Sequence, residues 1–331
     1  MSNHQSNEIA PVAPKPQDFK APVFKDDKLV LYFHPYNFYS QKVLLVLYEK
    51  NIEFTPYMID LCNGEQYSNW FLNLNPKGDV PVLQDGILII PNSQHIINYV
   101  ETKYRGESHP LLKPYNPNSF EAGKVTIFER ELARLPIGAL SLGSFIHDDL
   151  KLVPKAPFIG PVRQALLKNN HKIVELLRSQ LSESIVQSAA LNQKLNLQLR
   201  RRELVSSRTD FQRVLDAVLD LLLKVEKQME KDNKDGWLIG DDFTLADVGF
   251  GILLQRLYQL GFENYYWAHG KLPRVERYFM RFRQRASYLK LIPNSNFEIL
   301  KEMWSMTPTN YKVGATAGFL GMAMFAAFAH K

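Results

Sequence analysis

The chain has 331 residues, 45% apolar and 22% charged, an ordinary globular balance with enough length for one large core or two smaller ones. Its formal charge of +6 suits an anionic membrane surface but makes no case for nucleic acid. A single cysteine, Cys62, excludes an internal disulfide framework and fits a reducing compartment.

Residues 1–27 carry four prolines and no continuous apolar stretch, so they read as a flexible arm rather than an export signal. They also hold acids and no arginine, unlike a mitochondrial presequence. Residues 28–105 alternate strand and helix. Leu29 to Pro35 (LVLYFHP) is strand-like, and YSQKVLLVLYEKNI follows with apolar residues at helical spacing and Ser40 as its expected N-cap. Strand character resumes at Glu53 (EFTPYMIDL), which predicts a parallel, right-handed βαβ unit. VPVL and ILII then flank Gln84, Asp85 and Gly86, a hairpin turn, and Asn92 or Ser93 caps a further helix.

A linker at 106–118 leads to an all-helical region, 119–292. Within it, about 151–208 forms a long insertion that is helix-like from Ala165 onward, since a structureless loop of that length is uncommon. Arg200, Arg201 and Arg202 read either as a solvated face or as a seat for an acidic partner or lipid head group. In GDDFTLADVGFG, Thr244 and Asp247 are spaced as a capping box that opens an apolar helix, a folding element rather than a catalytic one. In PRVERYFMRFRQRASYLK, Val275, Tyr278, Phe279, Phe282 and Leu289 share the expected core side. Arg274, Arg277, Arg281 and Arg285 share the other, a candidate surface for anionic lipid.

A connecting segment, 293–311, precedes a candidate membrane anchor at 312–331. Val313 to Ala329 has no charge and no proline, and as a helix it would span roughly 25 Å of a ~30 Å hydrocarbon core. Lys312 and Lys331 extend its reach by snorkelling, and Tyr311 stands where an interfacial aromatic would. Gly314 and Gly318 make a GxxxG face that would suit pairing of two anchors, a weak motif on its own. Such an anchor inserts after translation and leaves the folded remainder in the cytosol. Its modest hydrophobicity and flanking lysines favour a mitochondrial or peroxisomal outer surface.

The run NPKGDVPVL, followed by a hairpin, a serine and a helix, resembles the glutathione-binding half of the glutathione transferase family, and the capping box matches a box in that family's helical half. The resemblance implies an α+β fold: a thioredoxin-like N-terminal domain and an all-helical C-terminal domain, here with a long helical insertion and a C-terminal transmembrane helix. It implies that Pro81 is cis, that Val80 offers its backbone to glutathione, and that Asn92 and Ser93 hold the tripeptide's γ-glutamyl end. It also implies a Tyr, Ser or Cys that stabilises the glutathione thiolate. That position falls here on Asn37 or Phe38, which have neither thiol nor hydroxyl, leaving Ser40, Tyr36 and Tyr39 as nearby substitutes.

Asn92, where the family usually has Glu, Gln or Asp, brings no charge to an ammonium group. The expected reading is therefore a degenerate site, with glutathione the only cofactor implied and Ser40 the candidate donor. The rival reading is a working transferase acting on hydrophobic electrophiles.

The insertion and the apolar end point to one membrane-held branch of the family. That branch implies residence in the outer mitochondrial membrane and on peroxisomes, with roles in mitochondrial fission and redox balance. Expected partners are outer-membrane lipids, a second copy of the chain, a hydrophobic small molecule and further proteins. No H-x-x-x-H, C-x-x-C, G-x-G-x-x-G or P-loop spacing supports metal or nucleotide chemistry.

Overall fold

A computed structural model describes residues 19–24, 29–106, 108–183, 188–232 and 236–292. The segments proposed as connector and anchor, 293–331, lie outside the described residues, as does most of the arm.

The first half is built on a four-stranded sheet. β1 (Leu29–Phe33) leads to α1 (Phe38–Glu49), and β2 (Thr55–Met58) pairs parallel to β1 as the βαβ reading requires. α2 (Asn69–Leu74) precedes β3 (Val82–Asp85) and β4 (Leu88–Pro91), which pair antiparallel around Gly86 and Ile87, one residue beyond the predicted turn. Strand order is β2-β1-β3-β4, and α3 (Ser93–Lys103) closes the layer.

α1 begins earlier than its sequence suggested. Its N-cap is Asn37, whose Oδ1 accepts the Ser40 N–H at 2.9 Å. Ser40 itself lies inside the first turn and caps nothing. Asn92 is the cap of α3, accepting the Gln94 N–H at 2.8 Å.

The helical half contains α4 (Phe120–Ala133), α5 (Ile137–Ile146), α6 (Gly160–Glu183), α7 (Ser188–Ser206), α8 (Arg208–Asp232), α9 (Leu245–Leu260), α10 (Glu263–Tyr266), α11 (Pro273–Phe282) and α12 (Ala286–Leu291). α9 is mostly apolar and is buried around its circumference, its polar residues Asp247, Gln255, Arg256 and Gln259 included. It packs on α1, also buried on most sides, and this α1–α9 contact joins the two halves into one continuous core.

The capping box opens α9 as read. Asp247 accepts from the N–H and hydroxyl of Thr244, both at 2.9 Å, and also from the Leu238 N–H and the Tyr278 hydroxyl. The stretch expected to be an insertion holds two helices, α6 and α7, that pack against each other, and the first starts five residues before Ala165.

The segment PRVERYFMRFRQRASYLK is two helices rather than one, broken between Arg283 and Arg285. Val275, Tyr278, Phe279 and Phe282 are buried as expected, but the break turns Leu289 out to 45% exposure. Three of the four arginines are spent inside the molecule, and Arg277 is exposed. Arg274 donates to the Met229 carbonyl, Arg281 to the Gly236 carbonyl, and Arg285 makes a two-pronged bridge to Glu49 at 2.7 Å. That face is therefore a fold-closing surface and not a free basic patch. Among the described residues no helix is long and apolar enough to cross a membrane.

Candidate functional site

The sheet register gathers the predicted residues. β1 and β3 pair Tyr32 with Val82, so continuing two residues further brings Val80 level with His34. β3 and β4 pair Val82 with Pro91, which brings Asn92 and Ser93 to that same end. The N-terminus of α1 opens there too, so His34, Asn37, Val80, Pro81, Asn92 and Ser93 share one edge. The Val80–Pro81 bond is cis, as expected, and Val80 is only 6% exposed. Asn92 has φ of +78°, the left-handed region that Asn tolerates better than most residues.

Ser40 is placed differently from a ligand-facing hydroxyl. It is 0% exposed, and its Oγ accepts the His34 N–H at 3.3 Å. Asn37, which with Phe38 was expected at the thiol-activating position, spends its side-chain oxygen on the α1 cap. Tyr36 is buried, whereas Tyr39 is 44% exposed. Partial burial raises the Tyr39 phenol, Arg201 works against the rise, Asp79 adds to it, and Arg256 again opposes it.

Two groups at this edge escaped the sequence reading. His34 is buried and neutral: desolvation, then the Arg256 charge, lower it to about 4, and its Nδ1 accepts the Tyr36 N–H. Arg256 comes from α9, and its Nη2 donates to the Tyr36 carbonyl at 2.5 Å. Burial lowers this guanidinium to about 10, leaving it charged at neutral pH. The available signal for Arg256 was its place in GFGILLQRLYQL, a cation in an otherwise apolar helix.

The insertion docks beside this edge. Leu177 of α6 and Leu191 of α7 bury themselves against Tyr67 and Leu72, Asn169 donates to the Cys62 carbonyl at 2.8 Å, and Lys194 pairs with Asp79, the residue before Val80. Gly78 has φ of +58° and sits so close to Tyr67 that a Cβ there would lie 2.7 Å from its ring. That approach fixes the turn carrying Asp79. Cys62 is half-buried, after β2 in the chain. Among the described residues no cluster of His, Cys, Asp or Glu is arranged to hold a metal ion.

A thioredoxin-like sheet with a cis-proline edge, joined to a helical half through a buried, box-capped helix, defines a glutathione-transferase architecture. The N-terminal glutathione S-transferase domain family matches residues 31–108 and the C-terminal one residues 187–286. The chain belongs to the glutathione S-transferase family. Within it, the chain is similar to ganglioside-induced differentiation-associated protein 1-like 1 of Homo sapiens, 29% identical over 83% of this chain and 76% of that protein. Glutathione S-transferase TCHQD of Arabidopsis thaliana is 28% identical over 79% of this chain and 88% of its own length. Among solved structures, the β-etherase LigF of Sphingobium sp. strain SYK-6 shares the fold, with a TM-score of 0.59 and 22% identity over 80% of this chain and 98% of that one.

Proposed function

We propose that this chain is a glutathione-transferase-fold protein with weak or no conjugating activity. It is held by residues 312–331 on the outer mitochondrial membrane, and also on peroxisomes, with its folded part facing the cytosol. There it regulates mitochondrial fission and redox balance through protein partners and membrane lipids. The observation that carries the loss of chemistry is at α1: Asn37 and Phe38, the two candidates for the thiol-activating position, have neither thiol nor hydroxyl, Asn37 is used as a cap, and Ser40 is buried behind it. The likeness to ganglioside-induced differentiation-associated protein 1-like 1 and the uncharged run 313–329 support the membrane reading. The gathering of Val80, Asn92 and Ser93 at one end of the sheet favours the alternative, a working transferase for hydrophobic electrophiles.

Two measurements separate these readings. The full chain in detergent should give no conjugation of an aryl halide above the rate without protein. Saturable turnover well above that rate would establish the alternative. Deleting 313–331 should release the protein into the cytosol and abolish its effect on mitochondrial shape, and shape control by the released form would sink the membrane reading.

A further inference from the structure

The last turn of α9 gathers three other segments around one ring. Lys155 Nζ lies 4.1 Å over Tyr258, and the Arg283 guanidinium lies 4.9 Å from the same ring. Lys155 belongs to the strap between α5 and α6, and its N–H donates to the Gln259 carbonyl at 2.8 Å. Gly261, with φ of +87°, lets that strap close on the helix end, because a Cβ there would meet the Val153 backbone at 2.5 Å. Arg283 follows directly on α11. Burial raises the Tyr288 phenol of α12 and the Arg283 charge opposes the rise, so this guanidinium stands beside α12 as well. Strap, α9, α11 and α12 therefore meet in one continuous region.

That region exposes large apolar side chains and cations together. Val153 is 65% exposed, Met280 of α11 56% and Leu289 of α12 45%, and Lys151, Arg283 and Lys290 are exposed with them. Met280 and Arg283 are three residues apart, neighbours on one side of the α11 end. None of these three cations makes an ion pair among the described residues. The acids next to the strap are already paired, Glu263 with Lys155, Asp148 with Arg163 and Asp149 with Arg208. Glu276 is the only acid in α11 and α12.

Two observations say what covers this surface. Unpaired cations beside exposed apolar side chains suit the boundary of an anionic bilayer, where head groups take the charge and the acyl region takes the rest. α12 is also the described helix closest in sequence to the proposed anchor, with only residues 293–312 between them, so it is tethered to the bilayer by the fewest residues.

We propose that the strap and the outer sides of α11 and α12 form a docking surface that lies on anionic lipid. Lys151, Arg283 and Lys290 reach phosphate and carboxylate head groups, while Val153, Met280 and Leu289 enter the interface. The inference deepens the membrane reading given above, on which it rests, by naming the face that the folded part turns to the bilayer.

The test uses the full chain carrying Cys62→Ser and one new cysteine, Val153→Cys or Leu289→Cys, labelled with a polarity-sensitive dye. It is reconstituted into vesicles of phosphatidylcholine alone or of phosphatidylcholine mixed with phosphatidylserine. Both dyes should shift to the blue on the mixed vesicles, and molar salt should reverse the shift. A dye at Asn196→Cys, exposed on α7, should emit alike on both. Lys151→Glu with Lys290→Glu should weaken docking about tenfold or more, and if that pair does not fold by circular dichroism, the salt reversal decides. Alkaline carbonate washing of the same vesicles reports on the anchor separately. A chain that resists carbonate while its Val153 and Leu289 dyes emit alike on both vesicles overturns the docking surface and leaves the anchor standing. A chain that carbonate strips overturns the membrane reading and this inference with it. A shift that appears only when soluble protein extract is added marks a protein-facing surface and also overturns the proposal.

Discussion

His34 shows how much one buried side chain can dictate. Desolvation, reinforced by Arg256, lowers it from an ordinary 6.5 to about 4. Between those values the unfolded chain binds a proton that the folded chain refuses, so this group contributes destabilisation that grows as pH falls from 6.5 towards 4 and is absent above that window. His34→Asn keeps an acceptor for the Tyr36 N–H while removing the titration. Denaturant unfolding across this window should give a shallower acid loss for the variant, the difference reaching about 3 kcal/mol at its lower end. Parallel pH curves would refute this account of His34. The neighbouring Ser40 is also structural here, since its hydroxyl satisfies the His34 N–H. Ser40→Ala should lower stability by about 1–3 kcal/mol, read from the same unfolding curves. Neither role was legible in sequence: a serine at the start of an apolar helix reads as a cap by residue preference alone. That Asn37 takes the job depends on where β1 ends, which is a tertiary matter.

At the scale of elements, the local signals were sound wherever a pattern carried its own physics. The strand–helix–strand order, the hairpin and the Thr244–Asp247 box were readable because periodicity and cap spacing are local. Asp247→Ala would strand the donors of Leu238, Thr244 and Tyr278 in the core, and should cost about 3 kcal/mol or more by thermal or chemical unfolding. What periodicity could not show was where the insertion lands. The pattern of α6 and α7 predicts helices but not that Leu191 meets Tyr67 and Leu72. Leu191→Ala should cost about 2–5 kcal/mol. Hydrogen exchange should then quicken in Asn69–Leu74 as well as in α6 and α7, whereas a change confined to the insertion would deny that the docking is shared. The arginine face of α11 misled for a related reason. A stripe of like charges resembles a lipid-facing surface until Met229, Gly236 and Glu49 are seen to receive it.

For the molecule as a whole, two of the joins between the halves meet on α1: its packing on α9 and the bridge from Arg285 to Glu49, which Ser287 reinforces. Glu49 is nearly buried and ends α1, yet its partner stands 236 residues further along the chain. While the polypeptide is being made, that carboxylate has nothing to neutralise it until almost the last described helix has left the ribosome. Until then water solvates it, and the end of α1 stays an uncovered surface. A transcript stopped short of Arg285 would leave that surface open, with Glu49 hydrated where the finished protein shields it.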